Sequence, residues 1–321
     1  MILASVLILA GAIIIDLAFG DPKNRFHPTA WVGTLIAKLV PFARGTNPHA
    51  EKLGGLVITV FVAGLVAFLL FLYQGMFTGR DVISTAILVL TGALLLKTTI
   101  AIRGLERHGR QVMEALSQNN LEEARSRLSM LVKRNTKDLD KNHIVSGVLE
   151  TTSENIVDGV TGPVFYFAIF GLPGAFVYRT VNTIDSMVGY KTELFRNVGW
   201  FGANCDKVLN YLPSRITAYV MILAALLIGA DWKNSLLVIR KDGKNTSSPN
   251  AGYPMAAMAG ALGAKFEKID HYTMGNGTAQ MDERHFESAI KLLKVTSILF
   301  CIIVAVPIIS ILYYLGWWIH V

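Results

Sequence analysis

Apolar residues in this chain come in long runs, and nearly all of the charge lies in the blocks between them. A run of about 18 or more apolar residues is long enough to cross a bilayer as a helix. Residues 2–19, 56–77, 82–101 and 295–318 each read as such a span. Two other apolar runs differ. Residues 162–177 are interrupted by Gly171-Leu172-Pro173-Gly174, and residues 216–230 are short for a full crossing. Broken or re-entrant helices at membrane depth are tolerated where they line a cavity or are buried in protein. The pattern predicts an all-α, multi-pass integral membrane protein with a cytoplasmic helical region and re-entrant or broken helices.

The blocks between the spans carry helical signals of their own. Residues 29–42 form a short amphipathic piece suited to a membrane surface. Leu121, Ala124, Leu128 and Leu131 make an apolar stripe of helix-packing type. Asn119 and Asn120 suit a turn and N-cap before it, with Glu122 and Glu123 well placed against the helix dipole. Thr136 is a candidate cap for the next helix. Asp16, near the end of the first span, is costly in hydrocarbon and is expected to face protein or the interface. The short connector at 78–81 should return the third span antiparallel beside the second. The positive-inside rule puts the long basic loops in the cytoplasm and that connector outside. No low-complexity linker divides the chain, so residues 1–321 read as one integral membrane domain with a cytoplasmic helical insertion at about 103–160.

Composition agrees: 52% of residues are hydrophobic and 17% charged, with mean hydropathy +0.45, where soluble domains carry roughly a quarter charged. The net charge of +7 suits positive-inside loops, an anionic substrate, or both. Nucleic acid is excluded as a partner, since no basic run is interleaved with stacking aromatics. Two cysteines, Cys205 and Cys301, make neither a disulfide framework nor a metal pair. There is no P-loop, no GxSxG elbow and no paired histidine spacing. The first span lacks a basic n-region and a cleavage site and reads as uncleaved.

Chemistry concentrates around residues 150–191. Glu150, Glu154 and Asp158 recur every four residues, so a regular helix places them on one face. Such carboxylates can hold a hard cation that bridges to phosphate; the plainer alternative is a solvated helix face. Asn155 stands among them. A second polar cluster, Asn182, Thr183, Asp185, Ser186, Tyr190 and Lys191, lies in a stretch with no strong helix or strand period and reads as a polar segment at the membrane surface. Lys97, Arg103, Arg107, Arg125 and Arg134 form a basic set able to pair with phosphate or carboxylate, with snorkelling or helix ion pairs as the alternative. Ser248-Pro249-Asn250 opens a run of small residues, which suits an anion at a helix N-terminus or close helix packing. The residues alone thus describe a membrane enzyme or carrier for an anionic, phosphorylated, metal-assisted substrate.

Taken in order, the polar blocks resemble the CbiB/CobD family of adenosylcobinamide-phosphate synthases. They are Asp16-Leu17 with Gly20-Asp21-Pro22 and His27-Pro28, then Lys97-Thr98-Thr99 with Arg103-Gly104-Leu105 and His108. Ala124-Arg125, Leu128 to Val132, and Arg134 with Thr136 follow. Then come Glu150, Ser153-Glu154-Asn155, Asp158-Gly159, Val181-Asn182-Thr183 and Asp185 to Lys191. Asn210, Pro213, Arg215 and Ser248-Pro249-Asn250-Ala251-Gly252 complete the series. The chain departs from the family pattern at Asn135, where aspartate is expected, and at Asn204-Cys205-Asp206-Lys207, where an Asp-Asp pair is common.

The resemblance implies a ligase of cobalamin biosynthesis in the cell's inner membrane, near the later enzymes of that pathway and in contact with membrane lipid. Its reaction would join a propionate of adenosylcobyric acid to (R)-1-amino-2-propanol phosphate or a related aminoalcohol phosphate, with ATP as co-substrate and Mg2+ as cofactor. On this basis Glu150, Glu154 and Asp158 are expected at the metal. Lys97, Arg103, Arg125 and Arg134 are expected at phosphates, with Lys97 and Arg103 catalytic. Glu154 or Asp185 would take the amine proton. Asn155, Asn182, Ser186, Tyr190, Lys191, Arg215, Ser248 and Asn250 would bind or orient the corrinoid and its phosphorylated partner. A corrinoid transporter or an assembly protein is the alternative from another class. Transporters place charge at mid-membrane in paired broken helices, whereas here it clusters at the ends of the spans.

Overall fold

The computed structural model describes residues 2–77, 81–190, 192–278 and 280–317. In chain order its helices are α1 (Ile2–Phe19), α2 (Pro28–Leu39), α3 (Pro48–Gly75), α4 (Val82–Lys97), α5 (Ile102–Ser117), α6 (Leu121–Ser129) and α7 (Lys141–Ile156). They continue as α8 (Gly162–Val188), α9 (Trp200–Leu209), α10 (Tyr211–Leu227), α11 (Trp232–Asp242), α12 (Gly252–Ala261), α13 (Glu283–Phe300) and α14 (Val306–Tyr314). π-helical turns at Val157–Thr161 and Cys301–Ala305 join α7 to α8 and α13 to α14. Among the described residues the one sheet is a hairpin of β1 (Phe266–Lys268) and β2 (Tyr272–Met274). Among the described residues five helical runs are long and apolar enough to cross a membrane: Ile2–Phe19, Pro48–Gly75, Val82–Ser117, Lys141–Val188 and Glu283–Tyr314; the bent pair Trp200–Leu209 and Tyr211–Leu227 makes a sixth if it is one span. The protein is all-α and built on multiple apolar spans, as the hydrophobic pattern predicts.

The helices group into two compact units, one drawn from residues 1–101, 158–210 and 301–321, the other from 102–157 and 211–300. In the first, α1 lies along α4, and α3 and α9 pack on α8. The helix of the second span begins before its apolar run, at Pro48, where the Asn47 side chain caps it by accepting from the backbone N–H of His49 and Ala50. α4 meets α3 through a 2.5 Å hydrogen bond between Tyr73 and Thr91, although its main packing is on α1; the connector at 78–80 lies outside the described residues. α2, predicted as a surface helix, buries one edge: Ile36 and the following Val40 join Ile58, Val62, Ile184 and Val188 in an apolar core.

α8 breaks where the sequence suggested. Phe170 leaves helical geometry and Gly171 adopts φ 62°, a conformation glycine takes without steric cost. The Ile169 carbonyl, whose helical donor would be the N–H that Pro173 lacks, accepts a hydrogen bond from the Trp317 indole at 2.8 Å. Trp318, the last residue of the final apolar run, lies outside the described residues. One expectation is corrected here. Residues 182–188 are not an irregular polar segment but the last turns of α8. Val181, Ile184 and Val188 are buried at helical spacing, and this weak stripe was masked by the polar residues around it.

In the second unit α5, α6 and α13 pack around α7, and α10 and α11 enclose α12. The α6 stripe buries Ala124 and Leu128, and Asn120 caps the helix by accepting from Glu123 N–H. Thr136 does not cap α7. Its hydroxyl donates to the Arg125 carbonyl, while Asp140 is the cap and accepts from His143 N–H. Every residue of α12 from Pro254 to Ala261 is buried. Ser235 Oγ donates to the Ala257 carbonyl at 2.8 Å and the Asn234 amide to the Gly260 carbonyl at 2.9 Å, so short side chains of α11 bond directly to the α12 backbone. A Cβ at Gly260 would lie 2.5 Å from the Ser235 Cα. Gly260→Ala is therefore expected to destabilise the protein by about 1–3 kcal/mol through overpacking. Gly64→Ala, whose Cβ would meet nothing within 4 Å, should hold or raise the melting temperature; thermal unfolding in detergent checks both.

Candidate active site

A polar cluster of the second unit surrounds Glu150, which is only 5% exposed. Arg134 donates through Nη1 and Nη2 to its two carboxylate oxygens, both at 3.2 Å. Ser146, one turn earlier on α7, donates at 2.6 Å, and Tyr272 donates at 2.8 Å. The β hairpin supplies that tyrosine: Glu267 N–H donates to Ser146 Oγ at 2.8 Å and pins β1 to α7, so that β2 presents Tyr272. Burial, and then the Glu150 charge, push the Tyr272 phenol above its ordinary value, so it stays a donor. Glu154, one turn further along α7, is exposed and within electrostatic range of Tyr272. Asn155 turns inward on its own helix, donating to the Thr151 carbonyl.

Arg215, Ser248 and Asn250 are brought together in the same unit. The Arg215 guanidinium lies 3.6 Å from the Tyr211 ring centroid and 4.3 Å from that of Tyr253. It donates to Asn250 Oδ1 at 3.0 Å and to the Pro249 carbonyl at 3.2 Å. Ser248 Oγ accepts from the N–H groups of Asn250 and Ala251, shaping the turn before α12. Arg125 is tied to the chain itself, donating to the Leu139 carbonyl at 2.8 Å. Arg103 is exposed at the start of α5.

In the first unit Lys97 is buried at the end of α4. Its ammonium lies 2.6 Å from Asp21 and 3.4 Å from Asp16, which is fully buried. His27 approaches Asp21 to 3.6 Å. Burial raises the Asp21 carboxyl, but hydrogen bonds from His27 and Lys97 outweigh it and hold the group at about 2. A second network runs along α8 into α9. Arg179 donates to the Asp158 carbonyl at 2.9 Å and to Asn182 at 3.1 Å. Asn182 donates to Asp206 at 3.3 Å, Asn210 donates to the other Asp206 oxygen at 3.0 Å, and Tyr178 donates to Asn210 at 2.6 Å. Asp206 is within electrostatic range of both Asp158 and Asp185. Gly162 lies against the Tyr178 ring, where a Cβ would come within 2.3 Å of it. Ser186 and Tyr190 make local bonds, to the carbonyls of Thr183 and Ser186. Lys191 lies outside the described residues.

The family model described as CobD/Cbib protein matches residues 9–299. The chain belongs to the CobD/CbiB family. A relative from Methanothermobacter thermautotrophicus, named probable cobalamin biosynthesis protein CobD, is 40% identical over 303 residues, covering 94% of this chain and 98% of its own. Relatives from Leptospira interrogans and Geobacter metallireducens, both named cobalamin biosynthesis protein CobD, are 38% and 35% identical. They cover 83% and 92% of this chain and 83% and 94% of their own. No solved structure matches.

In this CobD/CbiB chain the three spaced carboxylates do not make a cation cage. The i, i+4, i+8 spacing assumes a regular helix, and the π turn at Val157–Thr161 has a wider turn than that. Both Glu150 oxygens are already taken by four donors. Among the described residues no three His, Cys, Asp or Glu side chains group as metal ligands. A magnesium ion held by these carboxylates alone does not fit the site. Sequence reasoning missed Tyr272, Ser146 and Arg179. Tyr272 sits on a three-residue strand too short to show a period. Arg179 is two residues beyond the apolar run and looks like an interfacial cation.

Two outcomes follow. Glu150→Gln leaves Arg134 facing a neutral group in a largely buried site and is expected to cost about 3–5 kcal/mol, against about 1.5–3 kcal/mol for Tyr272→Phe, which loses one bond to a charged acceptor; chemical unfolding in detergent compares them. Asp21 is depressed in the folded state, so its contribution to stability is complete above about pH 4 and lost as pH falls through about 2. The stability difference between wild type and Asp21→Asn should hold nearly constant above about pH 4 and shrink as pH falls towards and through about 2.

Proposed function

We propose that this chain is the membrane-bound synthase that joins a propionate of adenosylcobyric acid to (R)-1-amino-2-propanol phosphate, or a related aminoalcohol phosphate, to give adenosylcobinamide phosphate. Membership of the CobD/CbiB family and relatives named for cobalamin biosynthesis support a place in that pathway. The observation that carries the chemical reading is the contrast between two glutamates one turn apart on α7. Glu150 is locked by Arg134, Ser146 and Tyr272, while Glu154 stands exposed beside them.

A free carboxylate does not form an amide without activation. On this reading a propionate oxygen attacks the γ-phosphorus of ATP, giving an acyl phosphate and ADP. The amine nitrogen then attacks the acyl carbon, phosphate departs with the C–O bond electrons, and Glu154 accepts the proton the nitrogen loses. Arginine forks suit the phosphates, and Arg103 is exposed at the start of α5. Arg215, clamped between two tyrosines, donates to Asn250 and the Pro249 carbonyl and so holds the turn that carries Ser248 and Asn250. Asn182, Ser186 and Tyr190 are assigned to amide-bearing ligand groups. The divalent cation that ATP chemistry uses arrives with the nucleotide phosphates.

Purified protein in nanodiscs, given adenosylcobyric acid, aminopropanol phosphate, ATP and Mg2+, should produce a corrinoid heavier by the aminoalcohol phosphate less one water. Glu154→Gln is expected to lower turnover by about 100-fold or more with corrinoid binding retained. Unchanged turnover in Glu154→Gln would remove the assignment of the base. Corrinoid bound by wild type without product would overturn the synthase in favour of a carrier.

A further inference from the structure

The first unit contains an apolar cavity of about 460 Å³ that the proposed chemistry does not use. α3 lines it with Ala67, Phe68 and Phe71, and α8 with Phe170, Val177 and the stacked tyrosines Tyr166 and Tyr178. We propose that this cavity binds one acyl chain of a bilayer phospholipid.

Three observations lead there. The two main wall helices, α3 and α8, belong to runs long and apolar enough to cross a membrane, and Leu209 of α9 completes the lining. Phe68 and Phe71 on the rim are 57% and 51% exposed, so in a bilayer this rim meets lipid tails. The interior offers nothing to water. Its polar side-chain atoms are the two tyrosine hydroxyls, and these donate inward to the Leu209 carbonyl at 3.0 Å and to Asn210 at 2.6 Å. An ordered water needs two to four polar partners, and a polar headgroup or an amide-rimmed ring would leave its own groups unpaired here. Hydrocarbon loses nothing by entering. The break at Phe170–Gly171, with Pro173 after it, interrupts the α8 wall at the cavity, and the volume is within the roughly 300–1,000 Å³ of ordinary ligand sites.

The site has a structural consequence. Tyr166 and Tyr178 stack with centroids 5.3 Å apart, and Tyr178 holds Asn210, which in turn holds Asp206. A chain packed on the tyrosine pair braces that network from its apolar side.

Native mass spectrometry after detergent exchange tests the proposal. Wild type should retain one phospholipid per chain. Ala67→Trp, which fills the cavity, should lose it. Leu69→Trp, on the exposed opposite face of α3, should keep it. Equal retention in Ala67→Trp, or none in wild type, would overturn the site. Wild type in nanodiscs with a diazirine-bearing phosphatidylcholine gives an independent readout that does not depend on a variant folding. Photolabel should concentrate on residues 166–178 and be depleted by excess unlabelled lipid. Labelling spread evenly over the apolar helices, without that peak, would refute the proposal.

Discussion

Taking an ammonium or a carboxylate out of water costs several kcal/mol unless an opposite charge or several donors meet it, and this constraint governs how both units are built. Lys97 can end α4 in the protein interior because Asp16 of α1 and Asp21 of the following turn both reach it. Glu150 can sit in the buried face of α7 because an arginine, a serine and a tyrosine converge on it. Each meeting draws on separate parts of the chain. The first ties α1 to α4, and the second ties α7 to the hairpin and to the segment after α6. The polar residues most distinctive of the sequence therefore serve first as fasteners.

Much of this was legible beforehand, for reasons that can be named. The apolar runs became spans because nothing else suits so much consecutive hydrocarbon, and Gly171 to Gly174 broke α8 as its composition required. Asn120 capped α6 because its side chain fits only a few backbone settings. Other features were hidden by context. The end of α8 carries so many donors and acceptors that three buried apolar positions did not stand out. The spacing of Glu150, Glu154 and Asp158 was real in the sequence, but Asp158 lies within a π turn that nothing in the sequence announces. Tyr272 reaches Glu150 from 122 residues away, and no local pattern announces such a contact.

Family membership and geometry divide the candidate residues in a useful way. Lys97, Glu150 and Arg125 are committed to partners within the fold. Glu154, Arg103 and Ser186 remain at the surface. Arg215 belongs to both descriptions, since two aromatic faces immobilise it while its edge engages Asn250.

The contact of Gly162 with Tyr178 reaches beyond this one chain. Because no side chain fits at 162 while the tyrosine ring is present, the two positions have a joint free energy rather than two separate ones. A larger residue at 162 becomes admissible only once the ring has been exchanged for something smaller, and the reverse order is open at every step. Divergence at this pair is thus directional: a lineage must change position 178 before position 162, and it then needs another donor for Asn210.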